Sequence, residues 1–393
     1  MPLNKDRAFA IMRSRGIDAL VASSTENVYY VSDYWSLRQQ LMCGTQAYAL
    51  LPLNGEPAIV APIDEADLVV NSDTWIKDVR FYGVPGVEMV QAGDVQEETQ
   101  RLMEMYSGAH PEADALAALT KCISERGLAT GTIALDTSCM PHDLFDAIRG
   151  AISNAKIVDG ADLLREVRLI KTLDEVERIQ RATEITEKSM EDALEIVRPD
   201  IMELDLAGMF EYSVAYDGGR VTYNLIGFRD RSAFPNPIPS SFAAHRGDPI
   251  RMTLGCTWQH YHSNISRTGV IGRPMPELKK QWQAVADAQE EAFGAIKPGA
   301  KLSDVYAAVD KRLTAAKLKH RGVSYGHGLG VECNEPPWIQ AKNETELEEG
   351  MVINVDVGHF ELGSQGVQIE DTVIVTAKGL RRLTRTDRDL YIL

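Results

Sequence analysis

Pro199 and Pro298 stand 99 positions apart, and each interrupts a helical pattern that restarts a few residues later. Ahead of the first, Thr172-Leu-Asp-Glu175 has the Thr-x-x-Glu form of a capping box, in which two side chains satisfy each other's backbone N–H groups. The spacing of Val176, Ile179, Ala182, Ile185 and Met190 predicts one helix from there through Ile196, apolar on one face. Arg198-Pro199 ends it, because proline lacks the N–H and its ring clashes with the preceding turn. A second helix is predicted from near Glu203. The same unit recurs at 288–296, Lys297-Pro298-Gly299 and Ser303 onward, with Asp205 and Asp304 keeping the offset. A repeat of helical pairs, each followed by strands, predicts two α/β halves related by pseudo-symmetry with a site between them.

The first part of the chain reads as an α/β layer, with short apolar strands predicted at 17–22, 48–51 and 58–61 and helices at 96–105 and 112–126. Asn27-Val-Tyr-Tyr-Val-Ser-Asp-Tyr34 predicts a strand end plus a turn with buried tyrosines. The domains expected are 1–160 and 161–393, each large enough for its own core. A formal net charge of −16 argues against nucleic-acid binding, which needs clustered Lys and Arg, and favours small substrates or protein partners. No run approaches the ~20 apolar residues of a membrane span, and the start of the chain lacks a signal-peptide pattern, so a cytoplasmic, non-membrane protein is expected. Cys43, Cys122, Cys139, Cys256 and Cys333 are irregularly spaced, without a Cys-x-x-Cys pair, and are expected to be reduced, mostly buried thiols. Cys256 could act as a nucleophile only if the strand held it on one face with His260 and His262.

Several residues could carry chemistry. His327 lies between Gly326 and Gly328, where the backbone can approach a ligand closely. Asp356 and Glu370 sit in apolar strand contexts, Val-Ile-Asn-Val-Asp-Val and Val-Gln-Ile-Glu-Asp-Thr-Val, where a buried carboxylate needs a metal, a cation or a hydrogen-bond network. A purely structural reading would pair them with Arg267 or another cation. Asn236, between two prolines, is either a rigid holder of a substrate amide or carboxylate or part of a plain connection. Tyr261 and His262 are either site walls or alternating strand residues, and Glu332 and Glu335, flanking Asn334, are either residues of the site or surface acids.

Five segments carry a resemblance: Arg-Met-Thr-Leu-Gly at 251–255, Tyr-His-Ser-Asn-Ile-Ser-Arg-Thr-Gly at 261–269, Gly-His-Gly-Leu-Gly at 326–330, Gly-Met-Val-Ile-Asn-Val-Asp at 350–356 and Gly-Val-Gln-Ile-Glu-Asp at 366–371. Over nearly its whole length the chain resembles the superfamily of methionine aminopeptidase, aminopeptidase P, Xaa-Pro dipeptidase and creatinase. The resemblance implies a creatinase-like N-terminal α/β domain and a C-terminal pita-bread domain. It also implies Asp, Asp, His, Glu and Glu ligands to two metal ions, at positions that here read Thr253, Asn264, His327, Asp356 and Glu370. Two of the four anionic ligands are thus neutral and one is a methylene shorter. A bridging carboxylate is what holds two ions together, so no stable dimetal centre is expected. The superfamily's two substrate-facing histidines are matched by Asn236 and Asn334, an Arg before Ile-Glu-Asp by Gln368, and the Glu that creatinase has before its Arg-Thr pair by Ser266.

Three readings follow. In the first, a metal-independent, cofactor-free hydrolase of a small nitrogen compound, similar to creatinase and ectoine hydrolase, uses His327, Asp356 and Glu370 for catalysis. Asn236, Thr253, Asn264, Tyr261, His262 and Asn334 then line the substrate. In the second, one divalent ion is held by His327, Asp356, Glu370 and Asn264, giving a single-metal peptidase or lyase. The third is a non-catalytic scaffold. The resemblance also implies a homodimer in which Trp35, Arg38 and Met42 reach the partner's site; Trp and Arg favour interface cores. Light scattering at micromolar concentration is expected to give the dimer mass, and a monodisperse monomer would remove that expectation.

Overall fold

The computed structural model describes all residues except 43, 91–92, 139 and 319–321, so the expectation for the thiols of Cys43 and Cys139 lies outside the described residues. Two compact units are formed, Met1–Arg168 and Leu169–Leu393. No helix among the described residues is long and apolar enough to cross a membrane.

The first unit runs α1 (Lys5–Arg15), β1 (Ala19–Ala22), α2 (Thr25–Ser32), α3 (Leu37–Leu41), β2 (Tyr48–Pro52), β3 (Ala58–Pro62), α4 (Ala66–Val70), β4 (Asp78–Tyr82), α5 (Glu97–Gly108), α6 (Ala115–Glu125), β5 (Thr132–Leu135), α7 (His142–Ala151), β6 (Lys156–Asp159) and α8 (Ala161–Arg168). Its strands form one mixed sheet, ordered β4-β3-β2-β1-β5-β6. Alternate strand residues feed two cores: Leu20, Ala22, Leu51 and Ile59 join Met12 and Leu164 on one side, while Val21, Leu50, Val60 and Ile133 join Leu119 and Ile148 on the other. Coverage of both faces explains why these strands read as unbroken apolar runs.

The expected strand end and turn at 27–34 is instead mostly helix α2. Ser24 caps it by accepting the Asn27 N–H, and Asp33 closes it in the left-handed region at φ 64°. Capping and burial override the β-favouring side chains here, although Tyr29, Tyr30 and Tyr34 are buried as expected. The unit extends to Arg168 rather than to residue 160, because α8 packs Leu163, Leu164 and Val167 into the same core.

The second unit runs α9 (Leu173–Glu195), α10 (Glu203–Tyr216), β7 (Arg220–Phe228), β8 (Pro249–Trp258), β9 (Tyr261–His262), β10 (Ile265–Val270), α11 (Pro276–Ala295), α12 (Leu302–Ala315), β11 (Gly326–Gly328), β12 (Val352–Phe360), β13 (Gly366–Thr376), β14 (Gly379–Arg382) and β15 (Tyr391–Ile392). The capping box is formed: Thr172 Oγ1 accepts the Glu175 N–H at 3.2 Å and Glu175 Oε2 accepts the Thr172 N–H at 2.8 Å. Helices α10 and α12 begin and end at positions 99 apart, so the repeat seen in the sequence is a repeat of structure.

Strands β11-β12-β13-β10-β8-β7 form an antiparallel sheet. One face packs on α9 and α10 through Ile226, Met252, Leu254 and Ile265, and on α11 and α12 through Ile353, Val355, Val357 and Ile369. This is the expected pita-bread arrangement. Residues directly opposite in antiparallel strands project to the same face, so the pairings Asp356 to Glu370, Glu370 to Ser266, Ser266 to Thr253 and Thr253 to Leu225 make one row across the other face. Thr172→Ala removes one half of the capping box and is expected to cost about 1 kcal/mol, read as a lower urea midpoint.

Candidate active site

Glu370 lies in that row between Asp356 and Ser266, 2% exposed. Its Oε1 accepts Asn264 Nδ2 at 2.8 Å and its Oε2 accepts Ser266 Oγ at 2.7 Å, while His327 Nε2 stands 3.8 Å from Oε1. A buried carboxylate requires partners, and here most of them are neutral donors. Asp356 Oδ1 accepts Gln368 Nε2 at 2.8 Å. The other end of that amide, Oε1, accepts Arg251 Nη1 at 2.6 Å and Thr253 Oγ1 at 3.2 Å. Arg251 also donates to the carbonyls of Ser232 and Phe234 and lies over the Phe360 ring. Gln368 therefore stands between a buried guanidinium and a half-buried carboxylate, and only one amide orientation satisfies both.

Burial, and then the Glu370 charge, push Asp356 up to about 7, against the opposing pull of Gln368 and His327. For His327 burial alone would lower the pKa, but the nearby Glu370 carboxylate outweighs it and the net shift is upward. His327 Nδ1 lies 2.9 Å from the Gly328 carbonyl. A carbonyl only accepts, so Nδ1 carries its hydrogen there and Nε2 is the nitrogen that exchanges protons. The flanking glycines have a packing reason of their own: a Cβ at 326 would fall 2.2 Å from the Asn354 carbonyl oxygen, and one at 328 would fall 2.3 Å from that of Pro336.

The ligand set implied by the resemblance does not fit two metal ions. Thr253 and Asn264 are neutral, Thr253 bonds Ser266 at 2.8 Å, and Asn264 presents its NH₂ group to Glu370. The one-ion set of His327, Asp356, Glu370 and Asn264 includes a neutral member whose NH₂ group, not its oxygen, faces Glu370. Among the described residues no three His, Cys, Asp or Glu side chains are grouped to hold a metal ion.

Other predicted residues divide. His262 pairs with Thr257, which places it on the site face; burial lowers its pKa to about 4, and its Nδ1, like Asn264 Oδ1, is buried without a hydrogen bond. Tyr261 turns to the opposite face, fully buried, its hydroxyl 3.2 Å from Glu175 Oε1 on α9. Asn236 is exposed on its loop, with no side-chain hydrogen bond to the residues of the row. Asn334 is also exposed and donates to the Tyr223 hydroxyl at 2.9 Å. Trp35 and Arg38 belong to the first unit, where Trp35 Nε1 donates to Gln40 and Arg38 pairs with Asp64 at 2.8 Å.

Three expectations are corrected. Arg267 pairs with Asp371 at 2.8 Å and not with Asp356 or the Glu370 carboxylate, because residues 370 and 371 alternate across the sheet. Cys256 faces the helices, its thiol against Thr186 and Ser263, while the turn at Gln259 and His260 returns His262 on the other face, so no Cys–His pair forms. Glu335 is no surface acid: it is 2% exposed and ion-paired with the equally buried Lys171. Arg251 and Tyr223 were not singled out from the sequence. The signal for Arg251 was available, since it lies two residues before Thr253 and so shares its face.

Comparison with known proteins agrees with this geometry. Residues 177–377 match the model of metallopeptidase family M24, and residues 5–170 match the creatinase/prolidase N-terminal domain. A Xaa-Pro dipeptidase of Pyrococcus furiosus is 35% identical over 237 residues, covering 58% of this chain and 67% of that protein. The solved dipeptidase of Pyrococcus horikoshii OT3 superposes with a TM-score of 0.80 at 25% identity over 99% of both chains. An X-Pro aminopeptidase of Thermotoga maritima gives 0.79 at 24% identity, again over 99% of both. With half of the chain matched by the family model, on the sheet that carries the candidate site, the protein belongs to metallopeptidase family M24 and is a hydrolase of C–N bonds.

Proposed function

We propose that this hydrolase cleaves a C–N bond of a small nitrogen compound without the dimetal centre of its family, in the manner of its metal-independent relatives of the creatinase type. The observation that carries the reading is the state of Glu370: both oxygens are bound by neutral donors from Asn264 and Ser266, where the family resemblance implies a metal ligand. The half-buried Asp356 and buried Glu370, directly opposed on β12 and β13, form an acceptor surface suited to a ligand rich in N–H groups. Asn264 Oδ1 adds a further acceptor beside them. His327 Nε2 takes the proton of the attacking water and returns it to the departing nitrogen, while the carboxylates oppose positive charge on that nitrogen.

Two measurements test the reading. Elemental analysis of protein purified without chelator is expected to find less than one equivalent of divalent metal per chain, with activity unchanged by chelation; two tightly held ions would show the site to be misread. A panel of amidines, cyclic amidines, N-acyl amino acids and Xaa-Pro dipeptides supplies the substrate. On the best of these, His327→Ala is expected to lower turnover by about 10²–10⁴-fold with an unchanged melting temperature. Asp356→Asn and Glu370→Gln are each expected to cost at least about tenfold. Equal turnover by wild type and His327→Ala would place the chemistry elsewhere.

A further inference from the structure

Strand β7 does not keep one register along β8. Val221 lies opposite Cys256, but Tyr223 lies opposite Gly255, so Thr222 is an extra residue and the two odd-numbered neighbours point to opposite faces. Val221 packs with Cys256 toward the helices. Beyond the bulge, Tyr223 and Leu225 share the face of Thr253. Bulges of this kind re-aim a side chain, and without the extra residue Tyr223 would point into the core. Gly255, its cross-strand neighbour, puts no side chain beside the ring.

The hydroxyl of Tyr223 is oriented from the loop that follows His327. Asn334 Nδ2 donates to it at 2.9 Å, occupying an oxygen lone pair and leaving the phenolic hydrogen to point elsewhere. The neighbouring Cys333 thiol adds to the electrostatics of the phenol. Burial first, and then the surrounding groups, push the phenol and the thiol each up to about 12, so both are neutral at physiological pH and the phenol is a donor. The rest of the face is dominated by acceptors: the Asp356 and Glu370 carboxylates and Asn264 Oδ1.

We propose that Tyr223, steered by Asn334, is a substrate-contacting hydrogen-bond donor to the doubly bonded oxygen or nitrogen on the reacting carbon of an acyl or amidino compound. The proposal rests on the hydrolase reading above and extends it to the half of the substrate that the carboxylates cannot hold. As the water oxygen bonds to carbon, its proton passes to His327 Nε2 and the π pair moves onto the doubly bonded atom, where the bond from Tyr223 strengthens. When that pair returns, the C–N bond breaks and the nitrogen leaves with the proton from His327. Tyr223 keeps its own proton throughout.

Tyr223→Phe, assayed on the panel compound turned over fastest, is expected to lose about 10²-fold in kcat, the scale of removing one oxyanion donor, with KM changed far less and the melting temperature unchanged. Asn334→Leu should lose less, about three- to tenfold, by freeing the same hydroxyl from its steering contact. A kcat for Tyr223→Phe within twofold of wild type overturns the proposal. Loss in Tyr223→Phe but not in His327→Ala would sustain it while removing the role given to His327. Failure of every panel compound counts against the proposed function alone. The donor is then read from 3-fluorotyrosine-labelled protein, with the residue 223 resonance assigned by its absence in Tyr223→Phe. Acetamide is expected to shift that signal saturably while the other tyrosine signals stay put, and no shift overturns the proposal.

Discussion

Strand register is the constraint on which the site depends. In an antiparallel sheet a pairing decides not only which residues are neighbours but which face each one occupies. Here the pairings through β7, β8, β10, β13 and β12 send Leu254, Ile265, Ile369 and Val355 to the helices and Thr253, Ser266, Glu370 and Asp356 to the other side. A slip of one residue in β13 would bury Glu370 among aliphatic side chains and expose Ile369. The apolar contacts of α9 to α12 therefore hold the site in register without touching it.

The same arrangement handles charge in two ways. Arg267 and Asp371, on the helix side, form a direct buried ion pair, where each charge offsets the desolvation of the other. On the site side Arg251 never meets Asp356; Gln368 intervenes, giving its oxygen to one and its nitrogen to the other. A direct contact would hold Asp356 firmly ionised. The interposed amide leaves the carboxyl close enough to neutrality for its protonation to respond to what binds beside it.

Much of this was legible in the sequence. The 99-residue repeat and the capping box carry their own physical reasons, and both are present. The isolation of Asp356 and Glu370 in apolar strands correctly signalled a polar network around them. What remained hidden depended on contacts distant in sequence or on a single inserted residue. The surface reading of Glu335 failed because its partner, Lys171, lies 164 positions away. Tyr223 was invisible because alternation counted from Val221 places it in the core, and only the bulge reverses the count. Residues 27–34 were misread because their composition favours a strand, while a serine cap and burial favour a helix.

The repeat also divides the chemistry unevenly. Thr253, Asn264 and Ser266 all come from β8, β10 and the turn between them, in the half that follows α10, whereas His327, Asp356 and Glu370 all come from β11, β12 and β13, in the half that follows α12. The histidine and both carboxylates of the row thus come from one half, while the groups that bond directly to the Glu370 carboxylate, Asn264 and Ser266, come from the other, which also carries Arg251, His262 and Tyr223. Substitutions at Asn264 and Ser266 can therefore change what Glu370 is bonded to while leaving untouched the strands that hold His327, Asp356 and Glu370 in place.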